Sequence, residues 1–245
     1  MKQNDPNYSK ALTALQKSRL FGELDESILH ELLAKFHLVT WEKSETIDPQ
    51  IGAKYCHFIV SGKLKITQID PDTGRTFAPF LLSEGDIYDI FSLLDGKEHT
   101  AFPIAMERVV TLRLPLSEAR ECLHKHPEFN AQFLPYLGEM MRQLEQFNTA
   151  LVFHDTTTRL AELILRHTIP EKDPRDGHCE VRLINNLSHE SLAEMIGSVR
   201  SVVSSQIHKL KEEGVIISKR GHLAVKNLEK LVQKIDRLHC KRERS

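Results

Sequence analysis

The sequence predicts an α+β fold with three parts: an amino-terminal jelly roll of the double-stranded β-helix type, one long helix and a carboxy-terminal winged helix-turn-helix. Short runs of period two follow one another between glycine turns from residue 37 to residue 115. An apolar heptad repeat then runs from Phe133 to Leu151, and further on two short helical patterns meet at Gly197 ahead of a hairpin. We therefore expect a roll domain at 1–126, a dimerisation helix at 127–154 and a winged helix-turn-helix domain at 155–245.

Length and composition limit the class of protein. The chain has 245 residues, 40% hydrophobic and 27% charged, which is enough for two compact domains. No apolar run approaches a membrane span and the first 18 residues lack a signal-peptide core, so we expect a cytoplasmic protein without a membrane partner. Its four cysteines are far apart and form no C-x-x-C pair, which suggests neither a disulfide framework nor a local metal site.

The amino-terminal part is predicted to form one helix followed by strands. An apolar face from Leu15 to Phe36 predicts a single helix. Turn signals such as Ser61-Gly62 and Glu84-Gly85-Asp86 then separate the expected strands. These strands lie at 37–46, 55–60, 63–69, 76–82 and 109–115. A short helix is expected at 116–124.

The long helix, expected from about residue 128 to residue 153, carries an apolar seam. Its members step by four, three, four, three and four residues: Phe133, Leu137, Met140, Leu144, Phe147 and Leu151. A seam kept over three heptads favours a parallel coiled-coil homodimer. Burial of the same side chains against the chain's own roll is the alternative.

The helix-turn-helix pattern begins at Ser188, whose hydroxyl can cap the first helix. In the second helix Val199, Val202, Val203, Gln206, Ile207 and Leu210 form the expected inward face. The outward face has short polar groups with basic residues at both ends, and the hairpin after it has a basic tip that can contact a phosphate backbone. The predicted DNA contacts are Ser188, His189, Arg200, Ser201, Ser204, Ser205, His208, Lys209, Lys219 and Arg220. A helical hairpin in an ordinary bundle is the alternative for the two helices alone.

The distribution of charge supports a DNA-binding domain at this end of the chain. The whole sequence has a net charge of −1, but residues 180–245 contain 13 Lys and Arg against 8 Asp and Glu, a net charge of +5. The remaining residues have a net charge of −6. Positive charge therefore collects in the part that a phosphate backbone would face.

These residues resemble the CRP/FNR superfamily of bacterial transcription regulators, named after the cyclic-AMP receptor protein and the fumarate-nitrate regulator. The positions that match the family's second helix in register are Gly197, Arg200, Val203, Ser204, Leu210, Gly214 and Ile216. Where the family has Glu, Thr and a second Arg, this chain has Ser201, Val202 and Ser205. The resemblance implies a homodimer that binds a palindromic operator in double-stranded DNA, activates transcription and contacts RNA polymerase. It implies that Arg200 reads a guanine edge or clamps a phosphate, and that the operator differs from the family's commonest one.

The roll resembles the family's cyclic-nucleotide-binding domain in its order of strands and turns, but not in its phosphate-binding segment. Asp89 takes the place of a Gly, Ile90 that of the Glu that binds the ribose, and His99 that of the Arg that pairs with the phosphate. Only Thr100 and Ala101 match. A carboxylate without the guanidinium should repel the phosphate, so we expect that cyclic AMP binding has been lost.

An effector pocket is nevertheless expected in the roll, at Asp89, Ile90, Phe91, His99, Thr100 and Leu144. The resemblance places Leu144 where the family has a Thr that contacts the adenine. Such an apolar lining suits a hydrophobic effector, a haem, or a pocket filled by the protein's own side chains. His99, His57 and His37 are the candidate haem ligands, although no spacing marks them, and a surface or hydrogen-bonded histidine is the simpler interpretation. A change of state at the roll would reposition the two recognition helices on DNA.

Two other classes of protein remain as alternatives. A roll with a histidine-bound metal, as in a cupin-like enzyme, would need paired His and Glu spacing that the sequence lacks, so we expect no enzyme activity. A cyclic-nucleotide-binding-like module that acts on a protein partner would not need the winged helix. The expected cofactor is unknown, and haem is one candidate, which would make the protein a gas- or redox-sensing regulator.

Overall fold

The computed structural model describes residues 1, 4–49, 54–98, 100–169, 178–219 and 221–236. Its contacts divide the chain into two compact units, one formed by 1–75 with 80–143 and the other by 76–79 with 144–245. The division falls inside the long helix, whereas the sequence suggested a separate segment at 127–154. Phe129, Phe133 and Tyr136 place the first half of this helix in the core of the first unit. Among the described helices, none has the length and apolarity needed to cross a bilayer.

The prediction of a single helix at 15–36 is wrong. The chain forms α1 (Tyr8–Lys17) and α2 (Glu26–Lys35) instead. Ser18 turns the chain after α1, since its hydroxyl donates to the Leu15 carbonyl at 2.8 Å and accepts from the Phe21 amide at 3.1 Å. The apolar residues of the connecting turn are buried, which explains why they continue the helical pattern: Leu20, Phe21 and Leu24.

Two antiparallel sheets form the roll. The first has the strand order β1-β7-β2-β5 and contains β1 (His37–Trp41), β2 (Tyr55–Ser61), β5 (Ile87–Tyr88) and β7 (Val109–Pro115). The second has the order β4-β3-β6 and contains β3 (Leu64–Ile69), β4 (Thr76–Leu82) and β6 (Phe102–Ala105). Strands β5 and β6 were not predicted from the sequence. The others overlap the expected ranges, and β4 and β7 coincide with them.

The first sheet is buried on both faces. Cys56, Phe58 and Leu114 pack against the helices, while Ile59 and Tyr88 pack in the core that the second sheet shares. The helices on the first face include α1, α2 and α4 (Leu116–Lys125), together with the first half of α5 (Pro127–Phe153). The short α3 (Ile90–Asp95) follows β5. These layers confirm the α+β roll.

The second unit is a winged helix-turn-helix, as predicted. It contains α6 (Thr156–Arg166), β8 (Cys179–Glu180), α7 (His189–Met195), α8 (Arg200–Glu212), β9 (Ile216–Lys219), β10 (His222–Val225) and α9 (Leu228–Asp236). The three strands form one sheet in the order β8-β10-β9. The Asp155 carboxylate caps α6 by accepting from the Thr158 amide at 2.8 Å. Residues 170–177 are rich in charge, Pro and Gly, which predicts a surface loop, and residues 241–244 are a basic tail; both segments lie outside the described residues.

Candidate nucleic-acid interface and effector site

Helices α7 and α8 form the helix-turn-helix. The Ser188 hydroxyl caps α7 by accepting from the Ser191 amide at 3.1 Å. Gly197 makes the turn with a φ of +61°, in the left-handed region that favours glycine. A Cβ at this position would lie 3.0 Å from Cδ2 of Leu151, so the turn packs closely against the end of α5. The crossing of the two helices is thereby fixed by backbone conformation and by packing.

Helix α8 presents a polar face, as expected. Val203, Ile207 and Leu210 are buried on its inner side. Val199 and Val202, which were predicted to face inward, are exposed instead, because Val199 precedes the helix as its N-cap and Val202 lies outside the buried stripe. The predicted DNA contacts that are exposed on this helix are Arg200, Ser201, Ser205, His208 and Lys209.

The other predicted contacts lie around this helix. Ser204 is partly buried, and its hydroxyl lies 2.8 Å from Nδ1 of His189. Ser188, the N-cap of α7, is exposed, and so is Lys219 at the end of β9. Arg220 lies outside the described residues. His208 also has an exposed carboxylate neighbour, since its Nδ1 is 3.4 Å from Glu212.

A groove between α7, α8 and the β9–β10 hairpin adds residues that were not predicted. It has a volume of about 510 Å³, and Lys211, His222 and Asn185 line it together with several predicted contacts. Lys211 could have been found from the sequence, because it follows the buried Ile207 by one helical turn. His222 could have been found as the cross-strand partner of Lys219 in a tight hairpin.

The predicted effector residues differ in their burial and in the contacts that they make. Asp89 is buried and caps α3, accepting from the Ser92 amide at 3.4 Å, while Ile90 packs in the core against the helices. Phe91 and Thr100 are exposed. Leu144 is partly buried in the other unit, and His99 lies outside the described residues.

The guanidinium of Arg120, which was not predicted from the sequence, fixes the carboxyl end of α3. Nε and Nη2 of Arg120 donate to the carbonyls of Leu93 and Ser92, at 2.9 and 2.6 Å. Cations are favourable at the carboxyl ends of helices, where carbonyl groups lack helical partners. Both ends of α3 are therefore held by side chains of the chain itself.

The inner face of the first sheet contains a buried histidine. His57 is 1% exposed, its ring centroid lies 4.9 Å from that of Trp41 and 6.0 Å from that of Tyr88, and its Nδ1 is 3.4 Å from Oγ1 of Thr111. Burial, with a smaller contribution from Arg113, lowers the pKa of His57 to about 3. His37, another candidate haem ligand, is exposed on β1. Among the residues described, no group of three or more His, Cys, Asp or Glu could hold a metal ion.

The buried imidazole should make the stability of the fold depend on pH. Below a pH of about 6.5 the unfolded chain binds a proton at His57, and the folded chain does so only near pH 3. We expect the free energy of unfolding to fall by about 2 kcal/mol from this group between pH 7 and pH 5. Urea unfolding at a series of pH values measures this change. A His57→Asn variant should show a shallower pH dependence over the same range, and an identical dependence in both proteins would contradict the assignment.

The long helix has two apolar faces. Phe133 is 2% exposed in the core, Met140 packs against the same core, and the ring of Phe147 lies 5.1 Å from that of Phe77. The chain's own roll therefore covers Phe133, which was predicted to lie in a dimer interface. On another side, Leu134 is 65% and Met141 70% exposed.

Comparisons with known proteins agree with this architecture. Residues 48–126 match the model of the cyclic nucleotide-binding domain, and residues 158–234 match that of the Crp-like helix-turn-helix domain. The chain is 28% identical to the global nitrogen regulator of Synechocystis sp. over 193 aligned residues. The alignment covers 77% of this chain and 84% of that protein.

Solved structures show the same fold. A mutant of CooA from Carboxydothermus hydrogenoformans superposes with a TM-score of 0.70 at 22% identity, over 84% of this chain and 90% of that one. The c-di-GMP responsive global regulator CLP from Xanthomonas campestris superposes with a TM-score of 0.68 at 15% identity, over 82% of this chain and 99% of that one.

Proposed function

The chain belongs to the CRP/FNR superfamily of transcription regulators, and from this premise we propose that it acts in the cytoplasm as a homodimer on a palindromic operator in double-stranded DNA. The exposed polar face of α8, with Arg200 at its first turn, is the observation that carries the proposal. A helix with short polar side chains can approach base edges closely in the major groove. We assign the chain no catalytic role.

Dimerisation is proposed through a face of α5 that is offset from the predicted seam. We call this face the outer seam, and its members step by three, four, three, four and three residues: Leu134, Leu137, Met141, Leu144, Asn148 and Leu151. Leu137, Leu144 and Leu151 belong to both seams. The large exposure of Leu134 and Met141 supports the outer seam, since apolar side chains on a helix are stabilised by a partner that covers them. Asn148 is the polar member, and a single polar residue in such a seam fixes register.

We further propose that the roll does not bind cyclic AMP. The Asp89 carboxylate occupies the start of α3, where its charge would repel a phosphate, and Ile90 is buried in the core rather than available to a ribose. Within the roll, Trp41, His57 and Tyr88 pack against one another. The burial of His57 argues against haem at this position, because the iron would have to reach a ring that is 1% exposed.

The operator can be found by selection from random duplexes with the full chain. We expect a palindrome whose half-site centres are about 34–36 Å apart, which is one turn of DNA, and the same result with and without cyclic AMP. An Arg200→Ala variant should lose about 1–3 kcal/mol of binding and relax the preference at one base pair of each half-site. Lys226→Ala, which removes the same charge from an exposed strand end, is the control.

Two outcomes would contradict these proposals. Failure to enrich any palindrome would overturn operator binding, and tighter binding in the presence of cyclic AMP would overturn the proposal for the roll. Activation through contact with RNA polymerase is proposed from family membership alone. Run-off transcription from a promoter that carries the selected operator distinguishes activation from repression.

A further inference from the structure

A row of polar side chains crosses the first sheet of the roll on its inner face. Tyr88 on β5 lies opposite His57 on β2, and His57 lies opposite Arg113 on β7. Arg113 in turn lies opposite His37 on the edge strand β1. Direct cross-strand partners project from the same face, so the four side chains are neighbours in this order. His37 is exposed and Arg113 half-buried, whereas His57 and Tyr88 are each 1% exposed.

Arg113 has no carboxylate partner within the described part of the chain. Its guanidinium carbon lies 4.6 Å from the centroid of the Tyr55 ring. Its Nε atom is buried and has no hydrogen-bond partner among the described residues. A cation–π contact offsets part of the cost of burying the charge, but it gives the N–H donors no oxygen acceptor. The guanidinium is therefore able to bind an anion.

His57 supplies a second donor beside this guanidinium. Its Nδ1 lies 3.4 Å from Oγ1 of Thr111, while its Nε2 is buried without a partner among the residues described. When the threonine hydroxyl donates to Nδ1, the proton of the neutral ring lies on Nε2. Tyr88 continues the pattern, because its hydroxyl is also buried without a described partner. Unsatisfied polar atoms on three neighbouring side chains indicate a bound water or ion.

The charge of Arg113 favours an anion over water. Asp89, the acidic residue next to Tyr88, caps α3 at the Ser92 amide. A half-buried cation is stabilised when an anion pairs with it. The N–H groups of a guanidinium match the two oxygens of a planar carboxylate. Because a carboxylate accepts several hydrogen bonds at once, it can meet both Arg113 and Nε2 of His57.

We propose that Arg113 and His57 bind the carboxylate group of a small organic acid at the inner face of the first sheet. The carboxylate accepts from the guanidinium and from Nε2 of the imidazole, and the rest of the ligand lies toward the exposed end of the row at His37. This site uses none of the six residues that were predicted for the effector pocket. It is also independent of the proposed binding of DNA.

Sodium formate is a suitable probe, with sodium chloride at the same ionic strength as the reference. Trp41 is the only tryptophan of the chain, and its ring centroid lies 4.9 Å from that of His57, so its fluorescence reports on the site. With the full chain at pH 7 we expect a saturable change with a dissociation constant of about 1 mM, near the limit for so few atoms. Chloride should give no saturable change.

Two variants test the two donors. Arg113→Gln and His57→Leu should each raise the dissociation constant for formate at least about tenfold, because each removes a hydrogen bond to a charged group. The matched control is Arg108→Gln, since Arg108 is exposed and its Nε lies 3.5 Å from a carboxylate oxygen of Glu42. The control should bind formate as the unaltered chain does. A thermal melt of each variant shows whether it is folded, and Arg113→Gln alone decides the result if His57→Leu is not.

Three outcomes would contradict the proposal. A linear response to formate that chloride reproduces would overturn the site and leave ordered water as its occupant. Equal affinity of Arg113→Gln and the unaltered chain for formate would show that the carboxylate binds elsewhere. Weaker binding in Arg113→Gln together with unchanged binding in a folded His57→Leu would overturn the arrangement of two donors. Each result leaves the proposed DNA-binding function unaffected.

Discussion

A variant in which Leu134 and Met141 are both replaced by glutamate is expected to be a monomer at micromolar concentration. Both side chains are largely exposed in the single chain and belong to the outer seam of α5. In a parallel dimer each would face its own copy, so the substitutions remove four apolar side chains from the interface and place like charges opposite one another. At about 1.5 kcal/mol for each side chain, the dissociation constant should rise roughly 10⁴-fold.

Sedimentation equilibrium measures this change, and operator binding should fall with it because the two half-sites would no longer be joined. The matched control adds the same charge elsewhere on the helix, as Gln146→Glu with Thr149→Glu, since both residues are exposed and lie outside the seam. The control should remain a dimer. A dimer that survives replacement of Leu134 and Met141 would show that another face of the chain forms the interface.

Gly62→Ala is expected to destabilise the roll strongly. Gly62 has a φ of +95°, and a Cβ there would lie 2.6 Å from the Arg108 carbonyl oxygen and 2.9 Å from Cα of Val109. These are backbone atoms at the start of β7, which pairs with β2 across this turn, so they cannot move without breaking the sheet. Backbone strain and overlap together should cost at least about 3 kcal/mol, against a typical domain stability of about 5–15 kcal/mol.

The turn at Gly74 provides the matched control for this substitution. Its φ is +67°, and nothing lies within 4 Å of an added Cβ. Gly74→Ala should therefore carry only the cost of the left-handed conformation, about 1–2 kcal/mol. Urea unfolding of the two variants measures the difference, and equal destabilisation would show that the contact with Arg108 and Val109 is relieved at little cost.

The strands that the sequence predicts best are those with a clear pattern and sufficient length. β4 and β7 have seven residues each and are found where the sequence places them. β5 has only two residues and β6 contains Pro103, so neither presents a periodic pattern. The turn after α1 was predicted as helix for the opposite reason, because this buried turn has apolar residues at helical spacing.

The sequence predicted those parts of the candidate DNA-binding site that lie on a single secondary-structure element. The polar face of α8 follows from the alternation of buried and exposed residues along a single helix. The groove is different, because its basic residues come from three elements that only the fold brings together. The seam of α5 could not be chosen from sequence either, since the helix is apolar on two sides and only the packing of Phe133 shows which side its own roll covers.

The polar residue of the outer seam has a consequence for the choice of partner. An asparagine amide that meets its own copy across a two-fold axis can satisfy its hydrogen bonds there, whereas opposite a leucine it would be buried without a partner. A related chain with an apolar residue in that layer would therefore be a poor match for Asn148. In a cell that contains several regulators of this architecture, one side chain would favour self-recognition over mixed dimers and keep their target genes separate.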